Sequence, residues 1–240
     1  MTASTVLPEA QNIPLPPALE TVGLTREFVL AESKITALDH VNLRVRQGEF
    51  VAVMGPSGGG KSTLLSLLGG LDTPSAGKVL VGGQDLYAMS EQERVMLRRG
   101  TLGYIFQGYD LLPALTVQEN VEFPLLVAGV ALELRQALAR RLLNDVGLEG
   151  KELFLPEELS GGQQQRVGIA RCLAGHPRIV LADEPTGNLD TATTADILKL
   201  LRAITQKRQM TLIVVTHDPE VAAQADRTVR LRDGRLELKP

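Results

Sequence analysis

The sequence predicts an α/β fold, a mainly parallel sheet with helices on both faces. Three observations carry this. Short apolar runs of strand length recur at residues 50–54, 102–106, 179–182, 212–215 and 228–231, and helical patterns separate most of them. All but the last of these runs are apolar rather than alternating, which marks strands covered on both sides. A glycine-rich loop stands between the first run and the helical pattern at 61–68, the order expected of a strand, turn and helix unit.

Taken in order, residues 41–46 alternate apolar and polar as in a half-exposed strand, and Gln47-Gly48 turns the chain into the buried strand 50–54. A helix follows at 61–68 and a short strand at 78–81. Ser90-Glu91-Gln92-Glu93 forms a capping box that opens a helix ending near Gly100. After the strand at 102–106 the character changes. Residues 107–158 hold a second capping box, Thr116-Val117-Gln118-Glu119, and a helical pattern over 132–146 closed by Gly147, with no strong strand signal. This predicts an inserted helical subdomain over about 108–165. Alternation then resumes: a helix at 164–174, a strand at 179–182, a helix over about 193–207, a strand at 212–215, a short helix after Pro219 and a strand at 228–231. There is no internal repeat.

Composition narrows the function classes. The chain has 240 residues, 44% hydrophobic and 22% charged, which excludes disorder, collagen-like repeats and coiled coil for its bulk. With 25 basic and 28 acidic residues the formal charge is -3, so no global field draws it to nucleic acid or an acidic membrane. Cys172 is the only cysteine, so no internal disulfide forms; among apolar neighbours it reads as a small core residue. Residues 1–20 lack Lys and Arg and contain Pro8, Pro14, Pro16 and Pro17, unlike a signal peptide. A flexible tail is expected there, with the folded domain over 21–240. No apolar run reaches the roughly 18–20 residues that cross a bilayer; the stretch 123–134 is shorter and holds Pro124, Gly129 and Glu133. Work at a membrane would require a partner.

Three motifs carry chemistry. Gly55-Pro56-Ser57-Gly58-Gly59-Gly60-Lys61-Ser62, followed by Thr63, fits a phosphate-binding loop in its required place between a buried strand and a helix. Its glycines let backbone N–H groups turn toward phosphate oxygens, and the helix N-terminus adds positive potential. Lys61 suits the β- and γ-phosphates and the Ser62 hydroxyl suits Mg²⁺. Asp183-Glu184 ends an apolar strand, where open α/β sheets bind ligands. Asp183 suits the metal side and Glu184 the activation of water; taken alone the pair could be solvated turn acids. Ser160, Gly161, Gly162 and Gln163 stand at another helix start and read either as a second phosphate-binding device or as a plain cap and turn.

Together these motifs resemble the ATP-binding cassette of ABC proteins from about Val22 to the C-terminus. Gly55 to Ser62 resembles Walker A, Gln107 the Q-loop, Leu159-Ser160-Gly161-Gly162-Gln163 the LSGGQ signature and Asp183-Glu184 the end of Walker B. Asn188-Leu189-Asp190 resembles the D-loop and His217 the switch histidine. The resemblance implies a P-loop NTPase cassette with an N-terminal antiparallel β subdomain, a mainly parallel core sheet and a helical subdomain. It implies that Gln107 joins Ser62 and Asp183 around Mg²⁺, and that His217 hydrogen-bonds the γ-phosphate. Phe28 lies where the family often stacks an aromatic on adenine; it is either that or an edge-strand core residue.

The finer resemblance is to lipoprotein-releasing and macrolide-exporting cassettes, through Gly103-Tyr104-Ile105-Phe106-Gln107, Leu111-Leu112-Pro113, Thr116-Val117 with Glu119-Asn120-Val121, and the stretch from Ala182 to Asp190. It implies an ATPase that forms an ATP-sandwiched, head-to-tail homodimer, with Ser160 and Gly162 of one chain closing on the ATP held by Lys61 of the other. It further implies an integral membrane permease, a periplasmic adaptor reached through it, no nucleic acid, and a cytoplasmic, peripheral position on the inner membrane. The alternatives are a membrane-tethered cell-division regulator and a soluble cassette protein of translation or DNA maintenance. Gly59, where serine is frequent, and Gly168 depart from the commonest pattern without removing a catalytic group.

Overall fold

The computed structural model describes residues 16–30 and 33–237. Residues 1–15 of the expected tail lie outside the described residues, and its last two residues already belong to a strand. That strand, β1 (Leu19–Leu30), pairs antiparallel with β2 (Ser33–Val41), β3 (Arg44–Val45) and β5 (Ala76–Val81), and β6 (Gln84–Asp85) borders β5. These five strands are the antiparallel N-terminal sheet. The strand expected at 41–46 is broken after Val41. Asn42 explains the break: its side chain accepts from the Gly23 N–H (2.8 Å) and donates to the His40 carbonyl (2.9 Å), turning the chain out of the ladder.

The second sheet has six strands in the order β11-β10-β4-β9-β8-β7, from β4 (Phe50–Met54), β7 (Leu102–Ile105), β8 (Ile179–Asp183), β9 (Thr211–Thr216), β10 (Arg227–Arg232) and β11 (Arg235–Glu237). All neighbours are parallel except the β10–β11 hairpin, whose Asp233-Gly234 turn has φ of 49° and 76°. The all-apolar runs have a direct cause. Leu212 and Val214 enter one core with Val180 and Ala182, while Ile213 and Val215 enter another with Val51 and Val53. Successive side chains of one strand thus fill two separate layers, and neither face can be polar.

Helix α1 (Lys61–Leu68) buries Leu64, Leu65, Leu67 and Leu68 in the second of these cores. Helix α2 (Glu91–Gly100) starts at the expected Ser90–Glu93 capping box. Between β7 and β8 lie α3 (Val117–Val127), α4 (Leu132–Asp145), a 3-10 turn (Pro156–Glu158) and α5 (Gly161–Ala174), the last of which runs beyond the stretch 108–165 where a helical insertion is expected. Within it, fully buried Asn120 on α3 accepts from the Leu112 N–H and donates to the carbonyls around Leu112, Leu115 and Thr116 at 3.0–3.1 Å. One amide thereby fixes the incoming loop. Helices α6 (Thr191–Arg208) and α7 (Pro219–Ala223) complete the fold.

Helix α5 begins at Gly161, three residues earlier than its pattern predicts, because Ser160 and Gln163 form a reciprocal cap with bonds of 3.4 and 3.1 Å. Inside it, a Cβ at Gly168 would lie 3.5 Å from the Tyr109 carbonyl oxygen, an ordinary van der Waals contact. Gly168→Ala therefore gains helix propensity without a clash and should stabilise the chain by about 0.5–1 kcal/mol. Chemical denaturation should show a higher midpoint at unchanged slope; a lower midpoint would mean that the loop above the helix cannot give.

Candidate active site

The carboxyl ends of three adjacent strands converge. β4 pairs with β9 so that Met54 faces Thr216, and β9 pairs with β8 so that Val215 faces Asp183. The loops that follow carry the phosphate loop, His217 and Glu184 respectively. The phosphate loop can make its turn only with glycine. Gly58 and Gly60 have φ of 77° and 95°, and a Cβ at Gly55 would stand 2.0 Å from the Leu231 carbonyl oxygen. Gly59, the departure from the family pattern, is a tighter fit than serine would suggest, since its Cβ would meet the Pro56 oxygen at 3.1 Å.

Lys61, the first residue of α1, is 6% exposed and donates to the Gly55 and Pro56 carbonyls at 2.9 and 3.0 Å. Its ammonium also lies 4.0 Å from Glu184 Oε1. Ser62 is exposed and donates to Asp183 Oδ1 at 3.3 Å. Burial pushes the Asp183 carboxyl above the usual carboxylate range and the nearby Glu184 charge adds to this, while the Ser62 bond and Lys61 oppose it. Such a group gains from a cation beside it.

Glu184 has φ of 42°, in the left-handed region that non-glycine residues avoid. The strain is held in place: its N–H donates to the Val215 carbonyl and its carbonyl accepts from Gly187, each at 3.0 Å. This turn points the carboxylate back over the strand ends, where Oε2 meets His217 Nδ1 at 3.0 Å. A cleft of about 160 Å³ opens beside the pair, lined by Glu184, Gly187, Leu189, Thr191, Thr216 and His217 among others.

Among the described residues, no hydrogen bond joins Ser62 to Gln107. Its amide donates to Asn188 Oδ1 (3.4 Å), and Asn188 donates back to the Gln107 carbonyl (3.1 Å). A Cβ at Gly187 would collide with the Gln107 amide at 2.9 Å, so the Q-loop and D-loop residues are packed together. Asp190 caps α6, accepting from the N–H and hydroxyl of Thr193 at 3.0 and 2.6 Å; the hydroxyl bond chiefly holds its carboxyl below the usual range. Thr63 sits half-buried in the first turn of α1. Phe28 is half-buried on β1, with the Arg26 guanidinium 4.5 Å from its ring centroid. Arg26 is itself held by Asp72 through two bonds of 2.8 Å, so one face of the ring has a fixed cationic cover.

The signature stands apart. Among the described residues, no hydrogen bond or ion pair joins Ser160, Gly161, Gly162 or Gln163 to residues 55–63. Its glycines are closely packed: a Cβ at Gly161 would be 2.8 Å from the Tyr109 hydroxyl, at the end of a side chain that can shift, and one at Gly162 would be 2.4 Å from Thr193 Cγ2, on a short branched side chain that has little room to do so. The sequence reading missed two participants, Tyr109 and Arg171. No periodicity or motif marks them, since their partners are the Gly161 backbone and two loop carbonyls.

The sequence profile described as ABC transporter matches residues 38–187. The chain belongs to the ABC transporter family. It is 48% identical over 219 residues to an uncharacterised ABC transporter ATP-binding protein of Thermotoga maritima, covering 91% of this chain and 93% of the relative. It is 45% identical to the lipoprotein-releasing system ATP-binding protein LolD of Syntrophotalea carbinolica (91% and 96% covered). It is 46% identical to the macrolide export ATP-binding/permease protein MacB of Marinobacter nauticus, but spans only 34% of that longer protein. Among solved structures, the dimeric ABC transporter cassette MJ0796 superposes with a TM-score of 0.85 at 41% identity, covering 92% of this chain and 97% of the other. A second structure of that cassette holds ADP and Pi after hydrolysis. As an ABC cassette of the lipoprotein-releasing and macrolide-exporting type, the chain is the ATP-hydrolysing subunit of a transporter.

The Gly162 contact is open to test. Gly162→Ala should destabilise the chain by about 1–3 kcal/mol through overpacking on Thr193. Thr193→Ser, which removes Cγ2 and keeps the hydroxyl that bonds Asp190, should recover most of that loss in a double-mutant cycle. Additive effects of the two changes would show that the contact is not what requires glycine.

Proposed function

We propose that this chain works as one half of an ATP-driven dimer, and that its site residues divide the labour as their geometry suggests. The observation that carries this is the meeting of Lys61, Asp183, Glu184 and His217 at the ends of three neighbouring strands, with no hydrogen bond or ion pair among the described residues joining the signature to the phosphate loop. Lys61 leaves the Gly55 and Pro56 carbonyls for the β- and γ-phosphates of ATP, and the loop glycines bring N–H groups to the same oxygens. Phe28 offers the uncovered face of its ring to adenine.

Ser62 and Asp183 fit Mg²⁺. Both supply hard oxygen donors, they already lie within 3.3 Å of each other, and the protein offers few other ligands, as Mg²⁺ sites shared with phosphates usually do. When bound, the ion neutralises phosphate charge. Gln107 joins this set by exchanging Asn188 for the metal side, which makes it a reporter of nucleotide state. Glu184 orients the attacking water and takes its proton on a carboxylate oxygen. His217 holds that carboxylate through Oε2 and is placed to turn toward the γ-phosphate.

Ser160 and Gly162 of a second copy, together with the positive end of α5, close over the ATP and exclude water from it. ATP thus joins the dimer and hydrolysis releases it. The relatives named for lipoprotein release and macrolide export support an integral membrane permease as partner and lipoproteins, drugs or other lipophilic cargo as load; they favour transport over the non-transport alternatives. No helix among the described residues is long and apolar enough to cross a membrane. In this reading the permease holds the chain at its cytoplasmic face. The surface from Gln107 to Leu115, exposed at Leu112, Pro113 and Ala114, is the one offered to it. A periplasmic adaptor would be reached only through that permease.

Glu184→Gln keeps the shape of the side chain and removes the base. It should retain ATP binding, lower kcat by about a hundredfold or more, and accumulate an ATP-bound dimer on gel filtration. Full ATPase activity in that variant would refute the role of Glu184.

A further inference from the structure

The loop after Gln107 is tied to the signature helix at a point that no nucleotide contact requires. Arg171 lies on α5, eleven residues beyond the Ser160 cap, and donates through Nη1 to the Asp110 carbonyl (2.5 Å) and through Nη2 to the Tyr109 carbonyl (3.0 Å). Tyr109 has φ of 62° and Asp110 φ of 48°. Consecutive non-glycine residues in the left-handed region are costly; here the Tyr109 and Asp110 N–H groups donate to the Phe106 and Gly108 carbonyls, and the guanidinium fork holds the two residues' own carbonyls in place. The Tyr109 side chain, meanwhile, reaches the other end of the same helix, where its hydroxyl packs on Gly161.

We propose that Arg171 is a positioning residue that couples the two nucleotide sites of the dimer, locking the loop that reads a protomer's own ATP to the signature helix it presents to its partner. This rests on the dimer reading above. The coupling path is contiguous. Gln107 is bracketed by Asn188, residues 109 and 110 by Arg171, and residues 112–116 by Asn120, so the loop is a braced segment rather than a free one. A movement of Gln107 toward the metal side therefore pulls on α5 rather than dissipating in the loop. A second observation marks the same helix. Gln165 is fully buried, and neither atom of its amide has a partner among the described residues. It lies one helical turn before Gly168, which faces the Tyr109 carbonyl. Unmet hydrogen-bonding capacity of this kind is what a second loop arrangement would satisfy.

The test uses the full chain carrying Glu184→Gln, with ATP and Mg²⁺. Calorimetry under dilute conditions gives the ATP affinity of the monomer, and analytical ultracentrifugation gives the ATP-dependent dimerisation constant. Arg171→Met keeps the stem and removes the fork. The expected result is ATP affinity within about twofold of the parent and dimerisation weakened at least fivefold, the range of a typical coupling between sites. In the otherwise native chain, the Hill coefficient for ATP should fall toward one. Dimerisation and Hill coefficient equal to the parent's would overturn the proposal, as would equal loss of ATP affinity and dimerisation, which indicates general damage. Should Arg171→Met fail to fold, Arg171→Lys carries the same test, since one ammonium cannot span two carbonyls. Absence of an ATP-dependent dimer in the Glu184→Gln parent itself would overturn the dimer reading and this proposal with it.

Discussion

The register of three parallel strands governs this site. Because Met54, Thr216 and Asp183 end β4, β9 and β8 nearly level, the next residue of each chain segment emerges at one edge of the sheet. A cation, two carboxylates and an imidazole are thereby forced within a few ångströms of one another: Lys61 lies 4.0 Å from Glu184, and Glu184 lies 3.0 Å from His217. Slipping any of these strands by one residue would exchange the two cores and disperse the cluster in the same step. The two-layer burial that stabilises the sheet is therefore also what aims its chemistry.

The same edge explains why the site is incomplete in one chain. The loop that begins α1 offers N–H groups and Lys61 to one side of a triphosphate, while the second helix start, at Ser160, is held away by the packing of Gly161 on Tyr109 and Gly162 on Thr193. These contacts fix the signature to α6 and to the Q-loop rather than to the phosphate loop. In the proposed dimer, a nucleotide on one chain would stay wet on its outer side until a second copy of the same surface supplied what is missing. The strained backbone of Glu184 belongs to this logic: on the role proposed for it, the carboxylate faces across the strand ends, where it meets His217, to reach a water at the γ-phosphate.

Much of this was legible in the sequence, for identifiable reasons. The core strands announce themselves because burial on both faces leaves no polar positions, and both capping boxes, at Ser90 and Thr116, form as their residue types require. The N-terminal sheet was harder to read. β1 mixes charged and apolar residues, carries a bulge at Gly23, and finds its partners through pairings to residues 33–45 and 76–81 that no local pattern reveals. β11 is three residues long and was hidden behind the Asp233-Gly234 turn. At the site, the motif residues were identifiable by type and order, but the side chains that brace them were not. Arg171 looks like any basic residue late in a helix, because what it binds is backbone; Asn188 was marked only as part of the D-loop, and its pairing with Gln107 is not legible from residue order.

The central claim, that one chain holds only half of a working site, is tested most directly by the dependence of ATPase activity on protein concentration. With saturating ATP and Mg²⁺, specific activity should rise with concentration and level off once the dimer dominates, so that dilution abolishes turnover while each monomer still binds ATP. Specific activity that stays constant down to nanomolar protein, with the chain monomeric by mass, would contradict the account.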